Sequence, residues 1–457
     1  MSQPSKLRAE HAIVLGASMG GLLAARALAP HFSRVTLIER DELPTDPVNR
    51  KGVPQGRHSH ALLAKGCEVL ESLFPGLPQE LIHLGVPTGD PGLQTRMIAG
   101  GQRCVPIPTG RRGLAVSRPL LEYHVRRRVL ALPQVNLLAR HIARGLILGP
   151  GDRVKGVRIA AVEEPATERE IEADLVVDAS GRGSKTPDWL GDLGFPAPEA
   201  ESVHVGISYV TRHFRRRPGD YAGDLAALIS AVPPNPRAGA AIAQEGDRWT
   251  VTLIGYLGER APLDLPGFIE FARGLPTLDI HELVSRAEPL GEAYTAAYPQ
   301  STRRRYERLR RFPERFAVFG DAICAFNPIF GQGMTVAAIE ATLLDATVAE
   351  GLERVGPRFF ARTTRPLDAP WSIVVGNDLR FPAARGQRTF MLRLINAYLA
   401  RFLEAAAHDP VLSRAFFEVG NLASPPETLV SPRLLARVFF RRRPSVTRAL
   451  PATTTPA

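Results

Sequence analysis

Cysteine, lysine, methionine and tryptophan are all scarce in this 457-residue chain. The three cysteines, Cys67, Cys104 and Cys324, have neither the spacing of a metal site nor the number for a disulfide framework. They fit a reducing cytoplasm, and no metal is expected. Lysine occurs only at Lys6, Lys51, Lys65, Lys155 and Lys185, so the net charge of +11 rests on arginine. With abundant Ala, Pro and Gly, that bias reads as the mark of a GC-rich bacterial genome. The arginine clusters at 126–128, 215–217, 303–305 and 441–443 carry no recognition motif and no interleaved aromatic platform. Solvated faces and phosphate steering account for them, so no nucleic-acid partner is expected. No stretch approaches the ~20 apolar residues of a membrane span. Met1 to Glu10 lacks the apolar core of a signal peptide. There is no internal repeat, and residues 451–457 read as a disordered tail.

What the chain does contain is three motifs in fixed order. The first, Gly16-Ala17-Ser18-Met19-Gly20-Gly21, follows the apolar run Ala12-Ile13-Val14-Leu15 and precedes the helix-forming stretch Leu22 to Leu28. Small residues between a buried strand and a helix let the backbone approach a pyrophosphate, whose charge meets the free N–H groups of the helix. A second apolar run, Val35 to Ile38, ends in Glu39, placed to hold the hydroxyls of an adenosine ribose. Ser18 stands where the usual fingerprint has its middle glycine.

The second motif is Asp178-Ala179-Ser180-Gly181-Arg182-Gly183-Ser184, after the strand-like Leu175-Val176-Val177. In the third, Gly320-Asp321 leaves the strand-like run Phe316 to Phe319, and Asn327-Pro328-Ile329-Phe330-Gly331-Gln332-Gly333 opens a helix expected from Met334 to about Leu344. Asp321 can accept hydrogen bonds from a ribityl chain, which a nicotinamide dinucleotide lacks. A helix N-terminus near Gly333 would stabilise the anion of a reduced flavin. Together the three motifs describe one FAD.

On these motifs the chain resembles the p-hydroxybenzoate-hydroxylase-type flavin-dependent monooxygenases, and within them the squalene-epoxidase-like and polyether-epoxidase-like bacterial enzymes. The run Arg50 to His60 and the segment Ser117-Arg118-Pro119-Leu120-Leu121 share the likeness, which covers about 10–350. The resemblance implies FAD held by Gly16, Ser18, Met19, Gly20, Gly21, Glu39, Arg40, Arg118, Ser180, Gly181, Gly320, Asp321, Pro328, Gly331, Gln332, Gly333 and Met334. It also implies O2 as co-substrate, with one oxygen atom inserted through a flavin C4a-hydroperoxide. The aromatic hydroxylases carry Asp-Gly in the second motif where this chain has Ser180-Gly181. Electrons could therefore come from NAD(P)H directly or through a separate flavin reductase.

The expected fold is α/β. A Rossmann-type FAD-binding domain takes 1–85, 105–200 and 301–365, with a small antiparallel meander leading into the Asp178 strand. A mixed-sheet substrate domain takes 86–104 and 201–300, with loops from Arg216 to Pro236 and short helices from Leu265 to Leu290. Pro366 and Pro370 interrupt the chain beyond Arg365, and a helical C-terminal region fills 366–457.

The expected reaction is epoxidation or hydroxylation of an apolar secondary metabolite, of polyene, polyketide or isoprenoid-like character. Flavin chemistry of that kind needs no protein nucleophile. Arg50, Gln55, His58, Tyr209, Arg212 and Phe330 are the candidates for catalytic contacts. Trp249 and Tyr256 are further pocket candidates, and His58 and His60 serve equally well as backbone-bonded structural residues. Alternatives are a reductase of isoprenoid double bonds, a flavin-dependent halogenase, and a protein using FAD structurally. For a halogenase, Trp189, Trp249 and Trp371 form no W-x-W pair, and a catalytic lysine would be Lys51 or Lys65. Leu434 to Arg443 joins an apolar stretch to a cationic end. It is expected to dock on its own domain, with membrane contact the less favoured reading.

Overall fold

The computed structural model describes residues 9–440. Its centre is a five-stranded parallel sheet ordered Phe316–Val318, Leu175–Asp178, Ala9–Leu15, Phe32–Ile38 and Val135–Leu138. Near-continuous apolar runs form these strands because both faces are covered, as a parallel sheet requires. The helices Met19–Leu28, Arg118–Leu130 and Gly333–Ala349 contribute to the same core. Three antiparallel strands, His141–Gly149, Arg153–Ala161 and Glu168–Glu172, make the small meander.

The second large element is an eight-stranded sheet. Its order is Cys324–Ala325, Pro289–Arg304, Ala200–Arg215, Arg248–Gly255, Arg237–Gln244, Ala226–Ile229, Thr95–Ala99 and Gln102–Arg103. Side chains alternate between its faces. One face, with Val210, Phe214, Trp249, Val251 and Leu253, is covered by Leu265–Arg273 and Asp279–Arg286. The opposite face carries Val203, Val205, Ile207, Tyr209, Ile254 and Tyr256 and packs on Leu379 and Phe381.

Two local expectations are corrected. The stretch Arg216 to Pro236 is not loop throughout: Ala226–Ile229 is a strand that pairs in parallel with Thr95–Ala99 and joins the early segment to the sheet. Pro366 and Pro370 do not interrupt the chain either, for Val355–Asp378 is one helix with both prolines inside it. A proline costs about 3 kcal/mol in a helix interior. Phe359, Phe360, Leu367, Trp371 and Val374 are buried along the same helix. At about 1.5–3 kcal/mol for each large apolar side chain, their burial outweighs that penalty. Helices Phe390–Ala406, Pro410–Gly420 and Pro432–Phe440 complete the described residues, and Arg441–Arg443 and the expected tail 451–457 lie outside them. No helix among the described residues is long and apolar enough to cross a membrane.

Candidate functional site

The first motif is built on two glycine requirements. Gly16 has φ +95°, and a Cβ there would lie 2.8 Å from the Ala179 carbonyl oxygen of the second motif. A Cβ on Gly21 would lie 1.8 Å from the Gly16 oxygen. Strand, turn, helix and neighbouring strand exit are thus packed backbone to backbone, which only hydrogen side chains permit. Ser18 occupies the N-cap position, yet its hydroxyl turns sideways to donate to Glu122 at 3.1 Å and to accept from Arg118 Nη2 at 2.8 Å. The small side chain in place of glycine thereby joins the first motif to the Ser117-Arg118 segment.

A charged wall stands beside this turn. Glu39 accepts from the N–H of Ala17 at 2.8 Å and of Asp41 at 3.0 Å, leaving lone pairs for a ribose. Arg50 donates to Asp41 at 2.9 Å and to Glu122 at 3.0 Å. Burial alone would raise the Glu122 pKa. Arg118 and Arg50 outweigh it and hold the carboxylate below its ordinary range. Arg50 is therefore not a free catalytic group: Asp41 and Glu122 fix it at the first-motif end.

In the second motif the fully buried Asp178 accepts from the Ser180 N–H at 2.9 Å, the Ser180 and Ser184 hydroxyls at 2.5 Å and the Thr186 hydroxyl at 2.6 Å. It brackets the loop from beneath, while Ser180, Gly181 and Arg182 look into a cavity. Arg182 also lies over the Tyr298 ring, 4.9 Å from its centroid.

In the third motif, Gly320 donates its N–H to Glu340 Oε2 at 2.8 Å. Asp321 faces the same cavity. Its side chain is exposed into that cavity; the surrounding protein raises its pKa, and Arg182 and Arg118 pull it back. The helix begins at Gly333, one residue before the expected start, and runs on to Ala349. Its first turn lines the cavity through Gly333, Met334 and Ala337.

That cavity measures about 810 Å³. All three motifs reach it, with Glu39, Arg40, Arg50 and Arg118 on one part of the wall and Pro299 and Gln300 of the large sheet on another. Gln55 and Lys51 reach it from the Arg50 loop. The size and donor set fit a dinucleotide. Two helix N-termini point at it, acidic groups stand ready for hydroxyls, and a Cβ on Gly333 would meet nothing within 4 Å. Pro328, Gly331 and Gln332 stand beside the cavity rather than on its wall. Gln332 is buried and donates to the Gly420 carbonyl at 3.4 Å. Phe330 packs against the main core.

The substrate-side candidates divide by strand parity. Tyr209 faces the third motif, and its hydroxyl donates to Asn327 Oδ1 at 3.0 Å. Tyr256 shares that face, stacked on Phe381 with centroids 5.2 Å apart. Arg212 and Trp249 do not. Arg212 turns to the opposite side and donates to the Leu263 carbonyl, and Trp249 Nε1 donates to Asp220 at 3.0 Å behind the sheet. The period of two decides this, since Arg212 shares parity with Val210 and Phe214, not with Tyr209. His58 meets the Thr211 hydroxyl at 2.8 Å, and His60 meets the His58 carbonyl at 3.0 Å. Burial lowers both pKa values to about 4, so both rings are neutral near pH 7.

Glu122, Glu340 and Asp378 have no counterpart in the motif reading, and Arg182 stands inside the second motif without an assigned role. Asp378 is buried at the end of the helix Val355–Asp378 and accepts from Asn327 Nδ2 at 3.1 Å. Glu122 had a local signal, lying four residues after Arg118 on one helix face.

Protein Rv3254 of Mycobacterium tuberculosis is 34% identical to this chain, over 97% of this chain and 98% of its own. The chain belongs to one family with that protein. No family model matches. Kynurenine 3-monooxygenase of Salinispora arenicola is 25% identical, with 74% of this chain and 72% of that protein covered. The flavin-dependent brominase Bmp2 superposes with a TM-score of 0.64 at 16% identity, over 90% of this chain and 93% of that structure. This chain thus shares the fold of FAD-dependent monooxygenases and halogenases. The likeness to the epoxidase branch does not reappear among these relatives.

Proposed function

We propose that this chain is an FAD-dependent monooxygenase that epoxidises or hydroxylates an apolar secondary metabolite of polyene, polyketide or isoprenoid-like character. One observation carries the reading: three motifs separated by some three hundred residues converge on a single dinucleotide-sized cavity. Glu39 would take the adenosine ribose and Asp321 the ribityl hydroxyls. The turn at Ser18, backed by Arg118, would take the pyrophosphate. When bound, the cofactor supplies the activation of O2. The Gly333 helix N-terminus lines the cavity and would stabilise the negative charge of a reduced flavin held there. His58 is neutral near pH 7, and burial holds the Tyr209 phenol protonated far above its ordinary pKa. An imidazole of such low basicity and a phenol that keeps its own proton are poorly matched to deprotonating a phenol, which supports an apolar substrate over a simple phenol. Asp178 is taken up by four donors within its own loop, and electrons would come from NAD(P)H directly or through a separate flavin reductase.

The test is turnover of the FAD-loaded protein under 18O2 against a panel of olefins and aromatics, with NADPH alone and with an added reductase. The label should enter an olefin or an apolar ring. Conversion of phenols alone would overturn the substrate assignment, and consumption of reductant without any labelled product would overturn the oxygenase.

A halogenase reading has one specific observation behind it, since Lys51 lines the cavity while Lys65 pairs with Glu68 on the surface. Bromide added to the same reaction separates the two. Brominated product lost on Lys51→Ala would establish the second reading.

A further inference from the structure

The helix Phe390–Ala406 presents an apolar stripe to solvent along its first half. Phe390 is 70% exposed and Met391 61%, and Leu394 and Ile395 are exposed beside them. Spacings of one, four and five residues put all four on one side of the helix. Leu392 and Asn396, on the other side, hold it to the protein. Leu392 packs with the Tyr209 and Tyr256 cluster, and Asn396 donates to the Gly376 carbonyl at 3.0 Å. The second half of the same helix is covered. Phe402, Leu403 and Ala406 are buried, and the last helix leans on Tyr398, with the Phe439 ring 6.1 Å away. Phe439 and Phe440 are themselves exposed, so they lengthen the patch rather than close it.

Charge decides what such a patch meets. Residues 379–403 contain five arginines and no acidic residue, and residues 431–443 again contain five arginines and no acidic residue. Arg388 is taken up by the carbonyls of Phe381, Pro382 and Ala384. Arg385 and Arg393 are exposed, and Arg401 lies over the Phe439 ring at 5.7 Å. A large exposed apolar surface marks an interaction site. An apolar stripe flanked by exposed arginines, with Glu404 the one acidic residue of its helix, is the pattern of a helix lying in a bilayer interface, side chains in the acyl boundary and guanidinium groups among anionic headgroups.

We infer that the outer face of the helix Phe390–Ala406, continued by Phe439 and Phe440, is a docking surface for an anionic lipid bilayer. The protein sits on the membrane and does not cross it. This departs from the sequence expectation, in which the last helix simply docks on its own domain. That helix does dock, but the face beside it remains open. The inference is independent of the reaction assigned to the cavity.

The experiment is flotation of the full-length, FAD-loaded protein with vesicles of phosphatidylglycerol and phosphatidylcholine, against vesicles of phosphatidylcholine alone. The protein should rise with the anionic vesicles and far less with the neutral ones. The double variant Leu394→Glu/Ile395→Glu changes only exposed positions and should cut partitioning at least tenfold while its melting temperature stays that of the parent. Arg385→Gln and Arg393→Gln should each weaken it about fivefold. Absence of flotation overturns the assignment, as does equal flotation by the folded double variant. A stable dimer in light scattering that the same double variant dissolves, without flotation of the parent, would give the face to a second copy instead.

Discussion

Asn327 donates its side-chain N–H to Asp378 at 3.1 Å and accepts the Tyr209 hydroxyl at 3.0 Å, so one amide ties the sheet face, the third motif and the end of the long helix together. Burial pushes the Asp378 pKa up to about 7, while the amides of Asn327 and Asn377 pull it back. Its second oxygen has no hydrogen-bond partner among the described residues. Unfolded, the same carboxyl titrates near 3.8. Between these values the folded chain holds a proton that the unfolded chain has lost, so stability falls as pH rises across the window and levels off above it. Asp378→Asn keeps the acceptor for Asn327 and removes the titration. Its thermal midpoint should decline less than the parent's between pH 4 and 7. At about 1.4 kcal/mol per pKa unit, a gain of a few kcal/mol at pH 7 is the ceiling. Parallel midpoint curves would show that Asp378 does not titrate there.

Glu122 is the keystone of the charged wall, since Ser18, Arg50 and Arg118 all bond to it. Removing one partner from a buried charge network costs about 3–5 kcal/mol, because the remaining charges are left unpaired. Glu122→Gln keeps the shape and loses the charge, so the two arginines should drift and FAD affinity should fall at least tenfold in a fluorescence titration. Glu68→Gln is the control, as its pairs with Lys65 and Arg111 lie at the surface. Such pairs are worth about 0–1 kcal/mol. Equal FAD affinities for the two variants would remove Glu122 from the cofactor site.

Two glycines, one packed beneath the first motif and one on the cavity wall, should respond oppositely to a methyl group. At Gly21 the new Cβ meets the Gly16 carbonyl oxygen at 1.8 Å, a clash with backbone that cannot step aside. Gly21→Ala should therefore fail to fold or lose several kcal/mol, consistent with overpacking at its severe end. At Gly333 the Cβ enters open space on the cavity wall. Gly333→Ala should leave the apoprotein equally or more stable, by up to about 1 kcal/mol of helix propensity, while weakening FAD. Equal melting temperatures for the two apoproteins would contradict the packing described at the first motif.

The parts that repeat a short local rule were legible in the sequence. Apolar runs followed by glycine or acid marked the four strand exits at Gly16, Glu39, Asp178 and Gly320. The alternating stretches at Val203 and Arg248 marked strands of the large sheet. What escaped depends on contacts distant in sequence. The tolerance for Pro366 and Pro370 comes from the core that Phe359, Leu367 and Trp371 meet. Strand parity excluded Arg212 and Trp249, but only once the buried face was known did parity have a direction. Asp378 and Glu340 look like ordinary helix-surface acids in sequence, and both are fully buried.

Glu340 leads to the last prediction. It sits under the Gly320–Asp321 turn, one oxygen accepting the Gly320 N–H and the other without a partner among the described residues. Burial pushes its pKa up to about 8 from an ordinary 4.5; the Gly320 bond opposes the rise and Asp321 adds to it. The carboxyl is thus mostly protonated at pH 7, and its stabilising contribution is present at low pH and lost as pH climbs through 8. Glu340→Gln retains the acceptor for Gly320 and holds no titrating proton, so its melting curve should stay flatter than the parent's up to pH 8. The Asp378→Asn background isolates this residue, because Asp378, with a pKa of about 7, is still losing its own proton between pH 7 and 8. Asp321→Asn removes the neighbouring charge and should move the parent's inflection to lower pH without abolishing it. Glu340→Ala leaves the Gly320 N–H unpaired and opens a cavity, and should be destabilised at every pH by about 2–5 kcal/mol. An inflection that survives Glu340→Gln unchanged would assign the titration to another group.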